Sequence, residues 1–456
     1  MKINNTLTHI YKIADFAMPI SMGMLINMIS GFVAMVLVAK LGRVELAAGA
    51  LAIPTFITIL TVFSTIFYAL SILIGHYKAQ EKPPLEIGQL IKNGFLLAII
   101  LSIPANLICW NIDKILLLFR QDQILVALTH RYFIYAGLAM IPTLLGSVMF
   151  QIFLSMGKPR VMMFVSLLTL PAMVLLSYGL ILGKAGLPQM GLTGVSCASF
   201  IAQTLACIGI VIYMRNQQEI KDYAIFSGSP WPTWSLCKAI FSLGLPIGIQ
   251  FGAELAALAV ATYFMGYFGV VPLAASQISS QYSMLVVMVT LGISQAVSVL
   301  TSEAYGKNDF QLVKDYAIAA MIILLGIFII VFGLFFLMPK QLIRVFVDIY
   351  NPINQDLIHL ATQLLIIAAV WQLVDGARNL LSGSLRGMHD SKAPMHIGVS
   401  CLWLISLPIC YLVAFNFHGG PIGLRLGFIT GFVIAVVLLY MRIKNKLNLS
   451  EQSSYR

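Results

Sequence analysis

Residues 245–269 read LPIGIQFGAELAALAVATYFMGYFG, twenty-five residues with a single ionisable side chain, Glu254. At about 1.5 Å per residue, a helix of this length crosses the ~30 Å hydrocarbon core of a bilayer. The stretch lacks the period-2 alternation of a barrel strand. A segment in lipid must satisfy its own backbone hydrogen bonds, so it reads as a transmembrane helix. The whole chain is of this kind: hydrophobic residues make up 59% of its 456 residues, charged residues 10%, and its mean hydropathy is +0.92. A soluble domain carries about 25% charged residues. Apolar runs between breaker and charge clusters predict twelve helices, near 14–41, 48–75, 93–112, 132–156, 161–183, 190–214, 238–268, 273–302, 315–338, 357–385, 395–416 and 420–441. The fold class is an all-α integral membrane protein.

The opening stretch has a partner earlier in the chain. A shift of 227 positions aligns residues 17–48 with 244–275 without gaps, matching Pro19 to Pro246, Gly42 to Gly269 and Leu46-Ala47-Ala48 to Leu273-Ala274-Ala275. The longest polar interruption, residues 215–237, lies near the middle of the chain. Together these predict a tandem duplication: a six-helix lobe over 1–214, a linker over 215–237, a second six-helix lobe over 238–445 and a tail over 446–456. Parallel repeats of this sort place a substrate path between the halves, near the bilayer midplane.

Charge and motif content narrow the function. The formal net charge of +11 is distributed over loops, with no basic stripe or arm, which excludes a nucleic-acid partner. Eighteen of the 28 Lys and Arg residues fall on the side of the termini and eight on the other, so both termini and the linker are expected in the cytoplasm. The cysteines (109, 197, 207, 237, 401 and 410) have no metal-binding or disulfide-framework spacing. Gly183-Lys184 is followed by Ala185, with Tyr178 where a P-loop glycine would stand, so ATP-driven transport is not expected. No catalytic constellation appears, and an enzyme is not expected. Nor is a cofactor, apart from H⁺ or Na⁺ as a coupling ion.

Charged side chains at the centre of a membrane helix cost about 2.5–3.5 kcal/mol on insertion scales, so they mark function. Glu254 has Gln250 four residues before it; Asp375, inside the tenth helix, has Trp371 at i−4 and Arg378 at i+3. Two carboxyls held close in a low dielectric resist simultaneous ionisation, so one of them can carry a proton. Oxygen ligands suit a hard cation equally well. The competing reading is an Asp375–Arg378 ion pair that only locks helices together. Glu254 has no basic partner on its own helix.

LPIGIQFGAE (245–254), LAASQISSQ (273–281), QAVSVLTSEAYGKND (295–309) and WQLVDGARNLLSGSLRGMHDSKAPM (371–395), taken in this order and spacing, resemble the NorM-like branch of the multidrug and toxic compound extrusion (MATE) exporters. The resemblance spans essentially the full chain. It implies two pseudo-symmetric six-helix bundles forming a V-shaped cleft in the bacterial inner membrane, working by alternating access. It also implies export of small organic cations or amphipathic compounds in exchange for inward H⁺ or Na⁺, by a monomer surrounded by membrane lipids. Glu254 and Asp375 match the family's cation site, and Gln277 and Gln281 match polar positions in the same lobe. The family's first-helix Asp is replaced by Ala34 and its fifth-helix Asn by Met173, which leaves Asn27, the repeat mate of Glu254, as the strongest polar residue of the first helix. A lipid-linked oligosaccharide flippase of the same superfamily is the alternative. That function calls for several basic residues along the cleft, and here Arg378 is the one clear candidate.

Overall fold

The computed structural model describes residues 2–118, 122–184, 186–226 and 233–454. Part of the predicted linker (227–232) and the last two residues of the predicted tail lie outside the described residues. The described residues form helices and turns without a strand, and twelve helices are long and apolar enough to span a membrane. They are Thr6–Ala39, Val44–Ala79, Pro84–Trp110, Gln123–Ser155, Pro159–Leu182 and Thr193–Asn216, then Trp234–Gly266, Val270–Gly306, Phe310–Leu337, Pro352–Gly387, Lys392–Asn416 and Gly420–Leu449. We call these spans 1 to 12.

The repeat seen in the sequence recurs in the backbone. Gly42 and Gly269, 227 positions apart, cap spans 2 and 8 with φ of 131° and 101° and ψ near 180°. That region is open almost only to glycine, which explains why both copies keep it. Glu81 and Asn308, again 227 apart, both turn the chain with positive φ (54° and 57°) after spans 2 and 8. Span 11 departs from a regular helix: Cys401–Ser406 and Leu412–Asn416 are π-helical, which the apolar pattern had not foretold.

The chain divides into two compact units, one comprising Met1–Ser21 and Ile249–Arg456, the other Met22–Gly248. Spans 1 and 7 therefore each change unit part-way, at positions related by the 227-residue repeat and two residues after Pro19 and Pro246.

The Met22–Gly248 unit is built on an apolar core that includes the fully buried Phe67, Phe133 and Phe153. Phe56 stands edge-on to Tyr132 and Phe133 within it. The first part of span 7 joins this core where Gly244 and Gly248 lie against the carbonyls of Ile66 and Val62; a Cβ on Gly244 would sit 2.0 Å from the Ile66 oxygen. Ala34 is buried in the same core.

In the other unit, spans 8 and 10 are in close contact through small residues, as membrane helices pack in the absence of a hydrophobic drive. Gly383 and Gly387 abut the Ser294 and Ser298 carbonyls. The Ser279 hydroxyl donates to the Leu364 carbonyl (3.1 Å), Gln372 donates to the Ser283 carbonyl (3.2 Å), and the Ser294 hydroxyl donates to the Asn379 carbonyl (2.6 Å). These bonds fix the register of span 10 and so the place of its charged residues. The first part of span 1 also packs here, with the Ser21 hydroxyl donating to the Val289 carbonyl (3.2 Å).

Candidate functional site

Asp375, Arg378 and Asn379 fall at i, i+3 and i+4 of span 10, on one helical face. All three are buried, with Arg378 only 3% exposed. The Arg378 Nε and Nη2 donate to Asp375 Oδ1 at 3.1 and 2.8 Å, and the Asn379 amide donates to Asp375 Oδ2 at 3.2 Å. Across from them, span 7 presents Glu254. Arg378 reaches it with two prongs, Nη1 to Oε1 and Nη2 to Oε2, the latter at 3.1 Å. Guanidinium geometry suits such two-pronged bonds. One cation thus bridges both carboxylates.

The network continues along span 7. The Gln250 amide nitrogen donates to Glu254 Oε1 (2.9 Å), and the Gln250 amide oxygen accepts from Arg386 Nη2 (2.8 Å). The order is Asp375–Arg378–Glu254–Gln250–Arg386, two acids and two bases joined by an amide. Aromatic faces back both cations: Phe432 lies 5.0 Å from the Arg378 guanidinium carbon and Phe251 lies 5.3 Å from that of Arg386. Trp371 is half-buried and edge-on to Phe432 at 6.0 Å, so it supports the aromatic floor of the site.

Beside this network is a small cleft lined by Glu254, Arg378, Gly398, Ser406, Gly431 and Phe432 among others. Glu254 is its acidic wall, with a side chain 15% exposed against 6% for Asp375. The first π-helical turn of span 11 forms another wall, and such turns recur at functional sites. Gly431 makes room for it: a Cβ there would come within 2.0 Å of Ser406 Oγ and 2.7 Å of the Cys401 oxygen.

Of the residues singled out in the sequence, Glu254, Asp375, Arg378 and Gln250 meet directly, and Trp371 backs them. Gln277 and Gln281 are exposed, one turn apart on span 8, and are not hydrogen-bond partners of the network. Asn27 is exposed in the other unit. Two residues of the network escaped the sequence reading. Arg386 stands one residue before the end of span 10, where a basic residue reads as a solvated loop charge, yet it is buried. Its spacing of eight from Arg378, a little over two helical turns, could have signalled a shared face. Asn379 stands at i+4 from Asp375, the spacing of a side-chain partner, and could have been read the same way.

The MatE family model matches residues 19–179 and 246–412, which covers both copies of the repeat. This chain belongs to the MatE family. The MatE chain is 31% identical over 408 residues to a protein of Agrobacterium fabrum named "Probable multidrug resistance protein NorM", covering 90% of this chain and 88% of that one. A protein of the same name from Synechococcus is 27% identical over 467 residues, covering 100% and 97%. An outward-facing multidrug resistance MATE family transporter of the MOP superfamily has the same fold: TM-score 0.86 at 17% identity, covering 97% of this chain and 96% of that one. A eukaryotic MATE transporter follows at TM-score 0.81 and 17% identity, with 98% and 99% covered. The MatE chain is thus a multi-pass membrane transporter and not an enzyme.

Proposed function

We propose that this MatE transporter is a secondary antiporter that exports small organic cations and amphipathic drugs across the bacterial inner membrane in exchange for inward H⁺ or Na⁺. The observation that carries the reading is the Glu254–Arg378–Asp375 network inside spans 7 and 10. Buried ion networks in membrane spans are costly and line ion pathways. Membership of MatE and the multidrug-resistance names of the relatives support the substrate class, and those names weigh against the lipid-linked flippase. We take Glu254 and Asp375 as the coupling carboxylates, with both termini cytoplasmic, and expect the protein to act as a monomer.

The test is efflux of a fluorescent organic cation from vesicles under an imposed pH or Na⁺ gradient, comparing wild type with Glu254→Gln and Asp375→Asn. The amides keep the shape but lose the charge, the exchangeable proton and one of the two accepting oxygens. Each variant is expected to insert normally and to lose coupled export. Wild-type export from either variant, at equal expression, would make that carboxylate structural.

A further inference from the structure

The carboxylates of this site already hold a cation. All four of their oxygens accept hydrogen bonds: Glu254 Oε1 from Gln250 and Arg378, Glu254 Oε2 from Arg378, Asp375 Oδ1 twice from Arg378, and Asp375 Oδ2 from Asn379. A hard metal cation such as Na⁺ needs several oxygen ligands converging on one point. Three of the four oxygens converge on one point, and the Arg378 guanidinium fills it. A second guanidinium, Arg386, stands one amide away through Gln250. Na⁺ entering here would meet the Arg378 guanidinium in place and no free carboxylate pair.

A proton makes no such demand. It needs one oxygen lone pair on a carboxylate that solvent can reach, and the Glu254 side chain is the more exposed of the two and faces the cleft. The charged groups around Glu254 include Arg378 and Asp375 from span 10 and, through Gln250, Arg386. Span 11 contributes Cys401 and Ser406 to the same cleft, and span 12 contributes Gly431 and Phe432. Ser294 and Thr290 of span 8 contact span 10 without adding charge.

We infer that Arg378 is the specificity-determining residue for the coupling ion, occupying the cation position so that the site takes H⁺ on Glu254 and excludes Na⁺. This rests on the antiport reading above and goes further by choosing the ion. The step balances simply. A proton from outside adds to the Glu254 carboxylate to give the neutral acid, its two bonds from Arg378 weaken, and Arg378 stays paired with Asp375. Loss of the proton to the cytoplasm restores the bridge. Glu254 is then the proton carrier, and Asp375 the fixed counter-ion that keeps the guanidinium in place.

The experiment uses full-length protein in liposomes with ethidium as the exported cation and the membrane potential clamped. One arm imposes one pH unit with choline as the only alkali-metal substitute; the other imposes a tenfold Na⁺ gradient at equal pH. The pH gradient is expected to drive export at least tenfold above protein-free liposomes, and the Na⁺ gradient to leave it at background. Thermal unfolding of the purified protein should not differ between NaCl and choline chloride. In Arg378→Gln, where the resident cation is gone, Na⁺-driven export or a Na⁺-dependent rise in unfolding temperature should appear, whereas Arg378→Lys should keep the proton response. Export driven by Na⁺ alone in wild type, or Na⁺ stabilisation of wild type, overturns the inference while leaving antiport intact. Export under neither gradient overturns the antiport reading and this inference with it. Should Arg378→Gln fail to insert, the two wild-type comparisons still decide.

Discussion

Replacing Arg378 by Met gives the most direct reading of whether both carboxylates are charged in the resting site. The side chain keeps nearly its length and loses its charge, which strands Glu254 and Asp375 without a bridging cation. Opposite charges about 4 Å apart attract by about 4 kcal/mol at an effective dielectric of 20, so the bridge holds two such terms against its own desolvation. Removing one partner of a buried pair usually costs about 3–5 kcal/mol. In a unit of about 230 residues, a kcal/mol corresponds to about 2–4 °C, so the variant should unfold about 6–20 °C lower in detergent. The deficit should shrink in acid, because a protonated carboxyl needs no counter-cation. The double variant Arg378→Met, Asp375→Asn removes one anion together with the cation, and it should recover about 0.5–3 kcal/mol relative to additivity. Fluorescence-detected thermal unfolding at pH 7.5 and 5.5 measures all of this. A single variant as stable as wild type at pH 7.5 would mean that the two carboxylates do not rely on Arg378 for charge balance, and the account of the site would fall.

Other changes probe the frame around the site. Ala34→Asp places a carboxyl in the apolar core of the Met22–Gly248 unit; it should lower stability by about 2.5–3.5 kcal/mol and bring no gain in export, and any gain would show a second coupling site there. Gly431→Ala inserts a methyl against Ser406 and the Cys401 carbonyl; it should disturb the π-turn beside Glu254 and cut export more than it cuts expression, a balance that transport per folded molecule reads out. Gly88→Ala would set its Cβ 1.8 Å from the Tyr223 carbonyl, so it should destabilise the seating of the segment after span 6, seen as faster proteolysis there. A single cysteine placed in 215–237 should resist an impermeant thiol reagent in intact cells and react after lysis. Labelling in intact cells would reverse the topology.

Much of the architecture was legible in the chain itself. Lipid solvent forces long apolar segments, so composition and run length alone gave an all-helical protein with twelve spans, and the 227-residue echo marked the duplication that Gly42 and Gly269 repeat in their backbone angles. Glu254 and Asp375 stood out for the same reason: a charge inside an apolar run has no lipid partner and has to have a protein one. What the sequence could not supply was the partner's identity. Arg378 looked like a neighbour for Asp375 three residues away, because helical spacing is a local rule. Its other bond, to Glu254, joins residues 124 positions apart, and no local rule reaches that far. Arg386 looked like a loop charge until packing buried it beside Gln250. The spans were fixed by how each segment partitions into lipid, segment by segment. The site depended on which faces the spans turn to one another, and the close backbone contact of spans 8 and 10 at Gly383 and Gly387 settles that only when the whole unit is assembled.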